Sequence, residues 1–115
     1  MMTIEEMSQA VCKAASDKKA RDIVVMDMRE LSPSTDYFVV CSANTATQVR
    51  AIADSIEEQL QEAGVDFFHK EGYREGEWVL LDYGDVVAHV FMQEAREYYA
   101  LEQLWGDAKL SVYED

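Results

Sequence analysis

The chain has 115 residues, 49% of them hydrophobic, and carries 23 acidic against 10 basic side chains, a formal net charge of -13. That length builds one compact domain with a single real core and excludes a second; no Gly-, Pro- or Ser-rich linker, repeat or low-complexity tract interrupts it. So acidic a surface repels phosphate backbones, which argues against direct nucleic-acid recognition, and suits either solubility or a basic protein partner.

Thr3-Ile4-Glu5-Glu6 has the form of a capping box, and Ile4, Met7, Val11 and Ala14 or Ala15 follow at helical spacing, so a first helix runs to about Lys18. Lys18-Lys19 with Arg21, the one basic cluster, then complements the end of that helix. Asp22 to Met28 is short and β-branched and predicts a strand; Leu31-Ser32-Pro33-Ser34 breaks the chain before a second strand, Asp36 to Cys41, apolar enough for a central position. Thr45-x-x-Gln48 offers another capping box, and Val49, Ile52, Ala53, Ile56, Leu60 and Ala63 form one stripe of a second helix that Gly64 closes. A third strand spans about Asp66 to Tyr73, with Glu75-Gly76 as the turn into the next.

The segment from Glu71 to Phe91 carries the most information. Gly84-Asp85 is a recognised two-residue hairpin turn. It sets Tyr83 opposite Val86, Leu81 opposite Ala88 and Val79 opposite Val90, an almost wholly apolar face. Side chains alternate along a strand, so the other face collects Trp78, Leu80 and Asp82 with Val87, His89 and Phe91, and Tyr73 is assigned to it too. A third helix from Gln93 to Leu104 is expected to bury Ala95, Tyr98, Leu101 and Leu104, with Trp105-Gly106 ending it and a loosely held acidic tail after that. Three helices and five strands imply a single α/β domain with a mixed five-stranded sheet, helices mainly on one face and the other partly open.

Several chemistries compete for these residues. Asp27, Asp36, Asp82 and Asp85 lie in or beside strands, where carboxylates hold divalent metals in phosphoryl or nucleotidyl transferases. The phosphate-cradling half of such a site, a G-x-x-x-x-G-K-[ST] or G-x-G-x-x-G loop, is missing. His89 with Asp82 has the elements of a general base, without a placed Ser, Cys or Thr nucleophile; His69 approaches Asp82 if the Glu75-Gly76 register holds. Cys12 and Cys41 sit among apolar neighbours with no metal-ligand spacing, as buried inert thiols do. Trp78 with Phe91 opposite is a cross-strand pair that stabilises a sheet in its own right, yet left uncovered it forms an apolar patch with Leu80, Val87 and Tyr73, rimmed by Glu71, Asp82 and His89, of the kind that marks a protein interface. No cofactor is expected. The N-terminus lacks a signal or transit composition and no segment is long enough for a membrane span, so a cytoplasmic location is expected.

The run from Glu71 to Phe91, with Lys19 to Val25, Ser34 to Val39, Gln48 to Asp54 and Leu101 to Asp107, resembles the ribosomal silencing factor, or Iojap-like, family over about residues 4 to 107. The combination E-G-x-x-x-x-x-W-x-x-x-D-x-G-D-x-x-x-H is specific, although each part alone is weak. The resemblance implies a nucleotidyltransferase-like fold without the triphosphate loop, and a non-enzymatic translational repressor. Its members bind the large ribosomal subunit through the basic protein uL14 and block joining of the small subunit, and organellar relatives act in large-subunit assembly. Carried across, it implies a contact surface of Trp78, Leu80, Asp82, Tyr83, Asp85 and His89, with Glu71 and Tyr73 nearby. Residues 1–107 then form the family domain and 108–115 the tail outside it. A metal-dependent transferase and a scaffold that forms a homodimer through the same face are the alternatives.

Overall fold

The computed structural model describes residues 2–114. Its order is α1 (Ile4–Asp17), β1 (Arg21–Asp27), β2 (Tyr37–Ala43), α2 (Ala46–Glu62), β3 (His69–Glu71), β4 (Trp78–Asp82), β5 (Val86–Met92), α3 (Gln93–Tyr99), α4 (Leu101–Leu104) and β6 (Lys109–Val112). The strands form one sheet in the order β3-β4-β5-β2-β1-β6. The β2/β5 pair is parallel and every other pairing is antiparallel.

Local chemistry starts the helices. The Thr3 hydroxyl accepts from the Glu6 N–H while the Glu6 carboxylate accepts from the Thr3 N–H, a complete capping box. At α2 only half of the expected box forms: Thr45 accepts from the Gln48 N–H, but the Gln48 amide donates instead to the carbonyls of Lys18 and Lys19. That choice ties the start of α2 to the end of α1.

Alternation then divides the interior in two. Ile23 and Val25, Val39 and Cys41, Val79 and Leu81, and Val86, Ala88 and Val90 point to the side covered by α1 and α2, where Val11, Ile52, Ile56 and Leu60 close the main core. The opposite side of the same strands supplies Val24, Met26, Val40 and Phe91, covered by Leu101 with Ala95 and Trp105. Helices therefore lie on both faces, the larger pair on one, and the face expected to be open carries a second, smaller core.

The sheet has six strands where five are expected. The sixth lies in the segment expected to be a loose tail: β6 pairs antiparallel with β1, Val112 beside Val24 and Leu110 beside Met26. It is exposed along its whole length, so pairing along β1, not burial, fixes it. β3 is also shorter than expected at both ends, starting at His69; it stops at Glu71 because Gly72 (φ 80) and Gly76 (φ 72) both take the left-handed region and close a loop through the Gly76 N–H to the Gly72 carbonyl. A Cβ at Gly72 would overlap the Trp78 carbonyl oxygen. The expected third helix breaks at Ala100, which is left-handed at φ 46. The break aims Leu101 inward and leaves Tyr98 and Leu104 exposed, against the expectation that both are buried.

Candidate functional site

The hairpin register is the one the turn dictates. Val79 pairs with Val90 and Leu81 with Ala88; on the other face Trp78 pairs with Phe91, Leu80 with His89 and Asp82 with Val87. β3 extends that face, with Glu71 beside Leu80 and His69 beside Asp82. One surface thus gathers Trp78, Leu80 and Asp82 from β4 with Glu71 and His69 from the edge.

Trp78 is half-buried at its centre. Its ring stacks on Phe91 at 4.9 Å and meets Tyr99 of α3 at 4.7 Å, and its indole N–H donates to His89 Nδ1 at 3.1 Å. An indole nitrogen only donates, so Nδ1 is the unprotonated nitrogen and the ring hydrogen of His89 sits on Nε2. That Nε2 is buried without a hydrogen-bond partner among the described residues. Phe38 meets the imidazole edge-on at 4.5 Å. Burial pushes the His89 pKa down to about 4, so the ring is neutral at pH 7. His89 is 4% exposed. The patch expected to be open is therefore partly a packed aromatic layer, in which Phe91 and His89 are interior and Trp78, Leu80 and Phe38 reach the surface.

The remaining expected contact residues divide. Asp82 is half-buried and its Oδ1 accepts from the Gly84 N–H at 2.7 Å, which closes the hairpin turn. Asp85 is exposed, and its carbonyl accepts from the N–H groups of Asp36 and Tyr37, tying the turn to β2. Tyr83 is not available: it points into the main core, its hydroxyl is buried without a hydrogen-bond partner among the described residues, and burial raises its pKa, with the charges of Glu57 and Asp66 adding to it. Tyr73 belongs to the other face. The loop from Gly72 turns it toward α2, where its hydroxyl donates to Asp54 at 3.1 Å and Lys70 lies 4.3 Å over its ring.

Sequence reasoning missed the contribution of α3. Tyr98 and Tyr99 are exposed, at 82% and 48%, and meet edge to face at 5.1 Å, with Tyr99 against Trp78. The expected stripe of Ala95, Tyr98, Leu101 and Leu104 left Tyr99 off it, which was the available signal for an exposed aromatic on α3. Arg96 was missed too: it is buried, donates to Glu102 at 3.0 Å and to the Ser42 hydroxyl at 3.1 Å, and pins α3 and α4 to β2.

The competing chemistries find little geometry. Among the described residues no three His, Cys, Asp or Glu gather to hold a metal ion. Asp27 is held by the Arg29 guanidinium, which pulls its pKa down to about 2. Cys12 and Cys41 are free and buried, and burial pushes both thiols up to about 12, which keeps them unreactive. Among the described residues no helix is long and apolar enough to cross a membrane.

Fold and site together define a small α/β domain whose sheet presents an aromatic surface with an acidic rim. The sequence matches the family described as "Ribosomal silencing factor during starvation" over residues 1–115. It is 44% identical to the ribosomal silencing factor RsfS of Bacillus subtilis over 96% of this chain and 93% of that one, and 35% identical to the chloroplastic protein Iojap of Zea mays over 86% of this chain and 43% of that one. A crystal structure of a Chromobacterium violaceum protein, 40% identical, superposes with a TM-score of 0.90 over 99% of this chain and 95% of that one. The chain belongs to the ribosomal silencing factor family.

Proposed function

We propose that this protein is a non-enzymatic, cytoplasmic repressor of translation. In this reading it docks on the large ribosomal subunit through the basic protein uL14 and occupies space that the small subunit needs. The names of its relatives give the ribosomal role; the observation that carries the docking face is the half-buried Trp78. Its ring is held by Phe91, His89 and Tyr99, with Leu80 two residues along β4 on the same face. Interface anchors are enriched in such pre-oriented aromatics, because little side-chain entropy is left to lose on docking. Phe38, Leu80, Glu71 and Asp82 complete the surface, with Asp85 at its hairpin end. Tyr83 and Tyr73 support it from the other layer without touching the partner. His89 acts through Trp78.

The test is gradient sedimentation of purified protein with separated ribosomal subunits, alongside Trp78→Ala. Co-migration with the large subunit and blocked joining are expected for the wild type. The variant should lose both while still unfolding cooperatively in urea. Wild-type protein that stays at the top of the gradient, with normal joining, would sink the reading.

A further inference from the structure

α3 and the entrance to β4 enclose a cleft of about 380 Å³ lined by Glu77, Met92, Glu94, Ala95, Tyr98 and Tyr99. Two of its walls are aromatic and set at right angles: Tyr98 and Tyr99 meet with an interplanar angle of 90°. Tyr99 is braced from behind by Trp78 at 4.7 Å, so that wall is held in place. Tyr98, 82% exposed, spends its ring on no interior contact that would explain it. The carboxylates of Glu77 and Glu94 are exposed and make no hydrogen bond or ion pair with a described residue. Among the described residues no Lys or Arg lines the cleft.

Exposed π faces beside unpaired carboxylates define one kind of guest. An aromatic face attracts a cation through its quadrupole, and a carboxylate pairs best with the planar fork of a guanidinium, which also stacks on rings where an ammonium does not. We propose that this cleft receives an arginine side chain of the basic partner, its guanidinium stacked on Tyr98 or Tyr99 and paired with Glu77 or Glu94. The site rests on the docking reading above and extends that surface from the sheet onto α3. Charge complementarity selects the occupant: the chain carries a net charge of -13, and the cleft adds two local negative charges to a hydrophobic wall. Trp78 then joins the two parts of the surface, in contact with Phe91 of the sheet and with Tyr99 of α3.

Two experiments separate the cleft from the docking reading. In the first, aromatic NMR signals of the isolated protein are followed while N-acetyl-arginine amide is added, and in parallel the neutral isostere N-acetyl-citrulline amide. Arginine should shift the Tyr98 and Tyr99 ring signals saturably, citrulline should not, and Tyr98→Ala should abolish the arginine response at Tyr99. Equal shifts by the two compounds, or none by arginine, would overturn the assignment. In the second, affinity for purified large subunits is measured for Tyr98→Ala and for a Glu77→Gln/Glu94→Gln double variant. All these positions are exposed, so the fold should be retained. A loss on the order of tenfold is expected for each. Wild-type affinity in both variants would overturn the proposal while leaving the docking reading intact. Failure of the wild type itself to bind would overturn the docking reading, and the arginine titration, which involves no ribosome, still decides the cleft.

Discussion

At the residue scale, His89 is the side chain whose chemistry differs most from its free form. It is interior, it accepts from Trp78, and burial holds its pKa at about 4 against an ordinary 6.5. Between those values the unfolded chain binds a proton on this histidine and the folded chain does not, so stability rises with pH across the window and is lost as pH falls from about 6.5 toward 4. At pH 5 the loss attributable to this group is roughly 2 kcal/mol relative to pH 7. His89→Gln removes the titration. Urea unfolding at pH 7 and pH 5 is therefore expected to show a smaller pH effect in the variant than in the wild type by about that amount, the carboxylates being common to both. Equal pH effects would mean that the imidazole is hydrated in the folded protein. A side chain this costly to charge is suited to hold the Trp78 indole in one orientation, which the docking surface requires.

At the element scale, the α3–α4 junction stores strain. Ala100 sits at φ 46, ψ 55, where a Cβ costs roughly 1 kcal/mol that glycine does not pay. Ala100→Gly is expected to raise the unfolding free energy by up to about 1 kcal/mol, less the entropy that glycine adds to the unfolded chain. Thermal unfolding reads this directly, and a destabilised variant would show that the junction relaxes in solution. The same junction marks where the sequence stopped being informative. Ala95, Tyr98 and Leu101 recur at helical spacing, and alanine is the strongest helix former, so nothing local announces a break. Across the break the buried Arg96 guanidinium reaches Glu102, six residues on, and Ser42, 54 residues back, and no local pattern announces the second of these contacts. By contrast, Gly84-Asp85 is a local signal, and from it alone the pairing of Trp78 with Phe91 and the inward aim of Tyr83 were legible. Tyr73 was assigned to the wrong face because two left-handed glycines, four residues apart, replace the end of a strand by a loop. β6 escaped notice because its residues are exposed and only the free edge of β1 gives them a partner. The aromatic face proposed here for docking was accordingly legible on β4 and β5, where alternation decides, and the exposure of Tyr98 and Tyr99 on α3 was not, because tertiary contacts set it.

At the scale of the whole molecule, the proposed docking on a basic partner turns on charge and size. Four of the basic side chains, Lys13, Arg29, Lys70 and Arg96, are held in ion pairs with neighbouring carboxylates, so the unbalanced charge resides on acidic side chains spread over a body of 33 × 32 × 27 Å. At an ionic strength of 0.01 M the screening length is about 30 Å and the whole excess acts together; at 0.15 M it is about 8 Å and only charges near the docking face are felt. The association rate with the purified basic protein uL14, free of the phosphates that so acidic a body repels, is therefore expected to fall on the order of tenfold from 0.01 M to 0.3 M salt, while the dissociation rate changes little. Position separates this steering from general repulsion. Glu58→Gln/Glu62→Gln, exposed on α2 in the opposite layer, should slow association only at low salt. Glu71→Gln, exposed on the β3 edge of the docking face, should slow it at physiological salt as well. Stopped-flow measurements on the two variants at both ionic strengths test the arrangement, and equal behaviour of the two would mean that the partner does not approach the β3–β4–β5 face.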